Sequence, residues 1–102
     1  MKALLVCSGG MSSAIAAKAL QEAAEKKGQD LEVVECGTQA FEEKVKKDYA
    51  IALVAPQIRH RFDNLKTLAD NAGVPCILVK PQGYTPMGAN KLLDQVNEEL
   101  GL

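Results

Sequence analysis

The sequence predicts a small doubly wound α/β domain, a four-stranded parallel sheet with helices on both faces. Four short apolar runs alternate with four longer amphipathic segments, in the order βαβαβαβα. Three of the runs are nearly continuous in apolar residues, which is typical of parallel strands buried on both faces. Right-handed crossovers then place helices on either side of the sheet. The 102 residues are enough for one such domain, spanning 1–102, and too few for two.

The four predicted strands follow the apolar runs. They are "ALLVC" at 3–7, "LEVVEC" at 31–36, "AIALVA" at 50–55 and "PCILVK" at 75–80. The second run alternates between apolar and polar residues more than the others do. It is therefore expected at an edge of the sheet, where one side of the strand meets solvent.

The first two helices are predicted from their spacing and their end signals. The first covers residues 12–27 and is stopped by Gly28. Its buried stripe is expected to comprise Ile15, Ala16, Ala19, Leu20, Ala23 and Ala24. The second covers about 39–47, with Thr38 as its N-cap.

The last two helices have equally clear apolar faces. The third ends at Gly73 and buries Ile58, Phe62, Leu65, Ala69 and Ala72. The fourth begins at "TPMG", where Thr85 caps it and Pro86 takes the first helical position. Its inner face is expected to comprise Ala89, Leu92, Leu93, Val96 and Leu100.

Composition excludes several classes of protein. The apolar fraction of 47% and charged fraction of 25% are those of an ordinary soluble domain, and the net charge of −1 argues against a nucleic-acid binder. No apolar run approaches the roughly 20 residues of a membrane span, and the first is too short for a signal peptide. Three cysteines without a C-x-x-C spacing favour a cytoplasmic protein with neither disulfides nor zinc. No metal or organic cofactor is expected.

The chemistry is predicted at the end of the first strand, where "CSGGMSS" begins at Cys7. Ligands of doubly wound folds bind at the carboxyl ends of strands. Glycines permit close approach of the backbone, and the following helix N-terminus favours an anion. The positive electrostatic potential at the helix N-terminus also favours the thiolate of Cys7, which is the nucleophilic form. The predicted phosphate-binding residues are Ser8, Gly9, Gly10, Met11, Ser12 and Ser13. The alternative is a buried thiol followed by a simple turn.

The loop also indicates what happens to the phosphate. A cysteine-dependent phosphatase needs an Arg at the end of its loop and an acid for the leaving group. The corresponding position holds Ser13, and the loop has no acid. This pattern favours a carrier of phosphate. A low-molecular-weight phosphatase-like or arsenate-reductase-like enzyme and a non-catalytic phosphate-binding module remain as alternatives.

The other reactive side chains are interpreted more simply. Cys36 and Cys76 lie in apolar runs and are expected to pack in the core, with Cys36 a weaker second candidate for a nucleophile. His60 is expected to be solvated. Its neighbours Arg59 and Arg61 form a small basic cluster, which is either a solvated helix face or a docking patch for a phosphorylated partner.

Two segments carry a resemblance to a known family. "LLVCSGGMSSAIAAKAL" and "ALVAPQIRHRFDNL" resemble the lactose/cellobiose-type enzyme IIB component of the bacterial phosphoenolpyruvate-dependent sugar phosphotransferase system. The resemblance covers nearly the whole chain. One departure is Ala55, where the family more often has Gly before Pro-Gln.

The resemblance implies a function and a set of partners. Cys7 would accept phosphate from a histidine of the IIA protein and pass it to a sugar held by the membrane component IIC. The sugar would be a β-linked disaccharide such as cellobiose, chitobiose or lactose. The resemblance also implies that Pro56 and Gln57 line the neighbouring loop and that Tyr84 lies beside the site. The protein would meet the membrane only through IIC.

Overall fold

The sheet has four parallel strands, as the alternating pattern predicts. The structure is a computed structural model, and it describes residues 1–8 and 11–102, without the side chains of residues 11–13 and 86. The strands are β1 (Lys2–Cys7), β2 (Glu32–Gly37), β3 (Ile51–Val54) and β4 (Cys76–Leu78). Their order across the sheet is β2-β1-β3-β4. The more alternating β2 is an edge strand, as expected.

Four α-helices connect and flank the strands. They are α1 (Met11–Lys26), α2 (Thr38–Lys44), α3 (Phe62–Asn71) and α4 (Ala89–Leu100). α1 packs against α4, and α2 packs against α3. Gly28 and Gly73, which follow α1 and α3, both have φ +74°. Glycine tolerates this left-handed conformation at helix ends, so both predicted stops are confirmed.

The two helix pairs cover opposite faces of the sheet. Lys44 on α2 lies close enough to Cys36 of β2 to lower the pKa of its thiol. Lys66 and Asp70 on α3 likewise affect the pKa of the Cys76 thiol on β4. These alternate strand residues therefore face α2 and α3. Val6 is in register with Cys36, so the next residue, Cys7, faces the side of α1 and α4.

The core is the sheet itself together with one face of each helix. All residues from Ala3 to Val6 and from Ile51 to Val54 are fully buried. α4 buries Ala89, Leu92, Leu93 and Val96 as predicted, while Leu100 is only half-buried. Burial on both faces explains why β1 and β3 are continuous in apolar residues.

The expected face of α1 is wrong at Ile15, whose exposed fraction is 49%, and Ala17 is buried in its place. The buried set is Ala16, Ala17, Leu20, Ala23 and Ala24. On a wheel with 3.6 residues per turn, Ile15 lies roughly 140° from the centre of that set. The small alanines let α1 pack closely on the sheet, and the larger Ile15 is left on the outer side.

Two helix starts differ from the sequence predictions. Gly37 is the N-cap of α2, no side chain caps the helix, and Thr38 is its first residue. The helix also ends at Lys44, three residues before the predicted end. The third segment begins with a 3₁₀ stretch at Pro56–Arg61, which is kinked at Ile58, where φ is −116° and ψ is 31°. Ile58 is nevertheless buried, as predicted.

The start of the fourth segment is confirmed in its cap. The hydroxyl oxygen of Thr85 accepts a hydrogen bond from the Gly88 N–H at 3.0 Å. A 3₁₀ turn at Pro86–Gly88 then leads into α4.

Candidate functional site

Cys7 is the last residue of β1 and is buried, with an exposed fraction of 6%. It lies beside β2 in register with Gly37. The chain runs from β1 to β2 on one side of the central pair and from β3 to β4 on the other, so these two connections leave in opposite directions. Cys7 therefore lies at the topological switch point, where doubly wound folds bind ligands. The expected position of Cys7 at the end of the first strand is confirmed, and its role as the nucleophile stays a prediction.

The segment after Cys7 carries most of the predicted phosphate contacts. Ser8 is exposed, and Gly9 and Gly10 lie outside the described residues. Met11, Ser12 and Ser13 form the first turn of α1, with side chains outside the described set. The phosphate-binding role of Ser8 to Ser13 therefore stays a prediction.

The segment after β3 is joined to β1 just before Cys7. The Ala55 N–H donates a hydrogen bond to the Val6 carbonyl at 3.0 Å. Ala55 is fully buried with φ −63° and ψ 142°, a conformation open to any residue. The alanine methyl group therefore fits without backbone strain. With alanine in place of the family's more usual glycine, the loop still bonds to Val6, the residue before Cys7.

Pro56, Gln57 and Tyr84 come together at one depression, and their place beside the phosphate site stays a prediction. They line an open depression of about 270 Å³ together with Arg59 and Pro81. Pro56 and Tyr84 are buried, whereas Gln57 is exposed. The depression lies between the segments that follow β3 and β4. These segments leave the sheet side by side, since the Val79 N–H donates to the Val54 carbonyl at 2.9 Å.

Sequence reasoning missed part of this depression. Pro81 was not identified, although its position three residues before Tyr84 in the same loop was a usable signal. Arg59 was predicted only as part of a charged cluster. Arg61 and His60 are exposed, and neither lines the depression.

The other two cysteines are buried and poorly suited to nucleophilic attack. Burial raises the pKa of the Cys36 thiol to about 11, and Lys44 offsets only part of that effect. Burial likewise raises the pKa of the Cys76 thiol to about 11, with Lys66 opposing it. Cys36 and Cys7 project to opposite faces of the sheet, so the two thiols are not aligned for a disulfide. The core role predicted for both residues is confirmed.

The described side chains form no metal site, and a second, larger cavity is lined mostly by polar and charged residues. Among the described side chains, no group of three or more His, Cys, Asp or Glu is placed to hold a metal ion. A larger cavity of about 370 Å³ lies against α4 and has no thiol or hydroxyl group in its lining. It is lined by Lys80, Gln82, Gly83, Lys91, Asp94, Gln95 and Glu98. None of the helices in the described ranges has the length and apolar character needed to cross a membrane.

Solved structures with the same fold include IIB components and a phosphatase. The lactose-specific IIB component domain from Streptococcus pneumoniae matches with a TM-score of 0.84 at 24% identity, covering 97% of this chain and 96% of that one. The cellobiose-specific IIB component from Borrelia burgdorferi matches at 0.76 and 24% identity, covering 99% and 92%. A low molecular weight protein tyrosine phosphatase from Bacillus subtilis matches at 0.59 and 16% identity, covering 99% and 97%. These likenesses establish the fold.

Sequence relatives and a family model identify the family to which the chain belongs. The galactose-specific EIIB component of Lactococcus lactis subsp. cremoris (strain MG1363) is 30% identical over 95 residues, which cover 87% of this chain and 86% of that protein. The lactose-specific EIICB component of Streptococcus mutans is 27% identical over 88 residues. The match covers 86% of this chain and only 15% of that longer protein. The model of the family described as "PTS system, Lactose/Cellobiose specific IIB subunit" matches residues 2–95. The chain therefore belongs to the lactose/cellobiose-specific IIB family of the sugar phosphotransferase system.

Proposed function

We propose that this chain is a phosphocarrier, in which Cys7 accepts phosphate from a phosphohistidine of IIA and passes it to a sugar held by IIC. The observation that carries the proposal is the position of Cys7 at the switch point of a IIB-family fold, directly before the segment that enters α1. The proposal assigns residues 1–102 to one cytoplasmic IIB domain. A relative that joins IIC and IIB in one name supports the membrane partner.

The proposed reaction consists of two in-line transfers. In the first, the Cys7 Sγ thiolate attacks phosphorus, an S–P bond forms and the P–N bond to the histidine breaks. In the second, a sugar hydroxyl attacks, an O–P bond forms and the S–P bond breaks, which returns the thiolate. The hydroxyl proton passes to a base or to water. Catalysis in such transfers comes mainly from positioning and from donors that stabilise the phosphoryl oxygens.

The sequence of the loop suggests why phosphate would stay on sulfur. We assign the amides and hydroxyls of Ser8 to Ser13 to the phosphoryl oxygens. Neutral donors would hold the group without driving its transfer to water. Ser13 occupies the position where a phosphatase needs an Arg.

A cysteine-dependent phosphatase is the second candidate. The fold shared with the Bacillus subtilis phosphatase favours it, and the absence of Arg and acid from the loop opposes it. The sugar is proposed to be a β-linked disaccharide such as cellobiose, chitobiose or lactose. Arg59 and Arg61 are proposed to attract the donor protein, since exposed charge mainly speeds encounter.

The experiment follows radiolabelled phosphate from phosphoenolpyruvate through the general phosphotransfer proteins and IIA to this chain. We expect a stable label on Cys7 that iodine removes, with free phosphate released only slowly. Cys7→Ser should lose the label while retaining the far-UV circular dichroism spectrum. Cys36→Ala is the matched control and should keep the label. A label that persists in Cys7→Ser would refute the assignment, and rapid release of phosphate would favour the phosphatase.

A further inference from the structure

The depression between the segments that follow β3 and β4 combines apolar walls with a single cation. Its walls are Pro56, Pro81 and Tyr84, and its polar groups include the amide of Gln57 and the guanidinium of Arg59. The hydrogen bond between Ala55 and Val6 joins its β3 side to the residue that precedes Cys7. Cys7 ends β1 and the depression follows β3 and β4, so a protein that docked across the carboxyl end of the sheet would cover both.

Arg59 is held at the rim and has unused donors. Its Nη1 atom donates to the Pro56 carbonyl at 3.5 Å, across the turn of its own 3₁₀ helix. A guanidinium has five N–H donors, so this contact leaves most of them available. In the described part of the chain the ion pairs are Lys27–Asp94, Lys46–Glu43 and Lys66–Asp70, and none involves Arg59.

Basic residues cluster in the segments that follow β3 and β4. Arg59, His60, Arg61 and Lys80 follow the carboxyl ends of β3 and β4, and Asp63 is the acidic residue in the first turn of α3. The Cys7 end therefore presents cations although the whole chain carries a charge of −1.

We infer that this depression receives an Asp or Glu side chain of the protein that delivers phosphate to Cys7, with Arg59 as its anchor. The inference rests on the proposed function and adds that the partner carries a carboxylate where it meets the depression. A planar guanidinium binds a carboxylate through two parallel hydrogen bonds. The proline and tyrosine walls suit the aliphatic part of such a side chain. A free phosphate dianion would need more donors than this single cation and amide supply.

The two arginines then have different roles. Arg59 lines the depression, and water is excluded from its contact when the partner covers the walls, so its loss should weaken the complex. Arg61 is exposed outside the depression and should act only through long-range attraction, which salt screens. Charge alone does not predict this difference, since both residues carry the same charge in the same short segment.

The test measures binding of an unphosphorylated lactose/cellobiose-type IIA protein to the isotope-labelled chain by nuclear magnetic resonance titration. We expect the Gln57, Arg59 and Tyr84 amides to shift. Arg59→Gln should weaken binding about tenfold, and the effect should persist at high salt. Arg61→Gln is the matched control and should weaken it less than about twofold, with no effect at high salt. Arg59→Lys should recover only part of the loss, because it lacks the planar fork.

Two features keep this test separate from the proposed function. The titration requires no phosphate transfer, so failure of Cys7 to accept phosphate would leave the binding result readable. Normal labelling of Cys7 with equal effects of the two Arg→Gln variants would overturn only the inference. No binding of IIA to the wild-type chain would overturn it as well. Shifts of the same amides with millimolar inorganic phosphate alone would identify an anion site in place of a docking point.

Discussion

The side-chain amide of Gln95 on α4 binds the backbone of Leu78 at the free edge of β4, with its Nε2 donating to the Leu78 carbonyl at 2.8 Å. Its Oε1 accepts from the Lys80 N–H at 3.3 Å. Gln21 of α1 acts similarly on the other edge strand, where its Oε1 accepts from the Val33 N–H at 2.9 Å. Helix glutamines therefore occupy backbone groups at both sheet edges, where open groups invite pairing with other chains.

Replacing Gln95 should loosen the segment that forms one side of the depression. Gln95→Leu removes both hydrogen bonds and should lower the free energy of unfolding by about 1–2 kcal/mol. The Lys80 amide should exchange its hydrogen faster. Urea denaturation and hydrogen exchange measure the two effects. Gln82→Ala is the control, since Gln82 is exposed and lines the cavity against α4 together with Gln95. This variant should change the free energy of unfolding by less than about 0.5 kcal/mol. Equal effects of the two variants would contradict this role of Gln95.

The backbone at Gly88 is packed so closely against neighbouring atoms that only glycine, which has no side chain, fits there. A Cβ atom at this position would lie 1.9 Å from the Gln82 carbonyl oxygen and 2.9 Å from Thr85 Oγ1. Gly88→Ala should therefore displace the turn between β4 and α4 and cost about 1–3 kcal/mol. Thermal or urea denaturation measures the loss.

Gly37→Ala provides the contrast for Gly88. The nearest atom to a Cβ there is the Cys7 carbonyl oxygen at 3.9 Å, an ordinary contact. Its φ of −84° suits any residue. Gly37→Ala should change stability by less than about 1 kcal/mol, which includes the poorer N-cap of alanine. A Gly88→Ala variant as stable as this control would show that the turn adjusts without cost.

Gln29 and Asn97 form a reciprocal pair that joins the turn after α1 to α4. The Gln29 Nε2 donates to Asn97 Oδ1 at 2.9 Å, and Asn97 Nδ2 donates to Gln29 Oε1 at 3.0 Å. The pair is partly buried, so a double-mutant cycle of alanine variants should give a coupling energy of about 1 kcal/mol. The nearby exposed Lys27–Asp94 pair, at 3.4 Å, should give less than about 0.5 kcal/mol. Equal coupling in both cycles would contradict the expected effect of burial.

The two core thiols should make stability fall in alkaline solution. The pKa values of Cys36 and Cys76 are about 11 in the folded chain, against an ordinary 9.0. Folding favours the neutral thiol, so the stabilisation is complete below about pH 9 and is lost as the pH rises towards 11. At pH 10 each thiol should account for a loss of about 1 kcal/mol.

The measurement for the thiols is urea denaturation as a function of pH. The Cys36→Ala and Cys76→Ala variants should have flatter profiles between pH 9 and 11 than the parent chain. Other groups titrate in this range, and the comparison between variants removes their common contribution. Profiles of unchanged slope would show that burial does not hold the two thiols neutral.

Local sequence patterns predicted most elements, and the errors fall where tertiary contacts decided the outcome. The glycines after α1 and α3 marked both helix ends, because few other residues adopt their positive φ. Ile15 was placed on the wrong face because spacing does not show which sector of an Ala-rich helix lies nearest the sheet. Thr38 is a good capping residue, yet Gly37 occupies the N-cap because it pairs with Cys7 at the end of β2. Tertiary contacts outweighed local preference in both cases.

The sequence by itself determined the fold class, the edge position of β2 and the family through which Cys7 is proposed as the nucleophile. These features depend on residue type and spacing along the chain, which are local properties. Only the tertiary structure decided that the segments after β3 and β4 meet, and that Arg59 lines their depression whereas Arg61 does not. The physical reason is strand register: parallel pairing brings distant loops to one edge of the sheet, at positions that no single segment specifies.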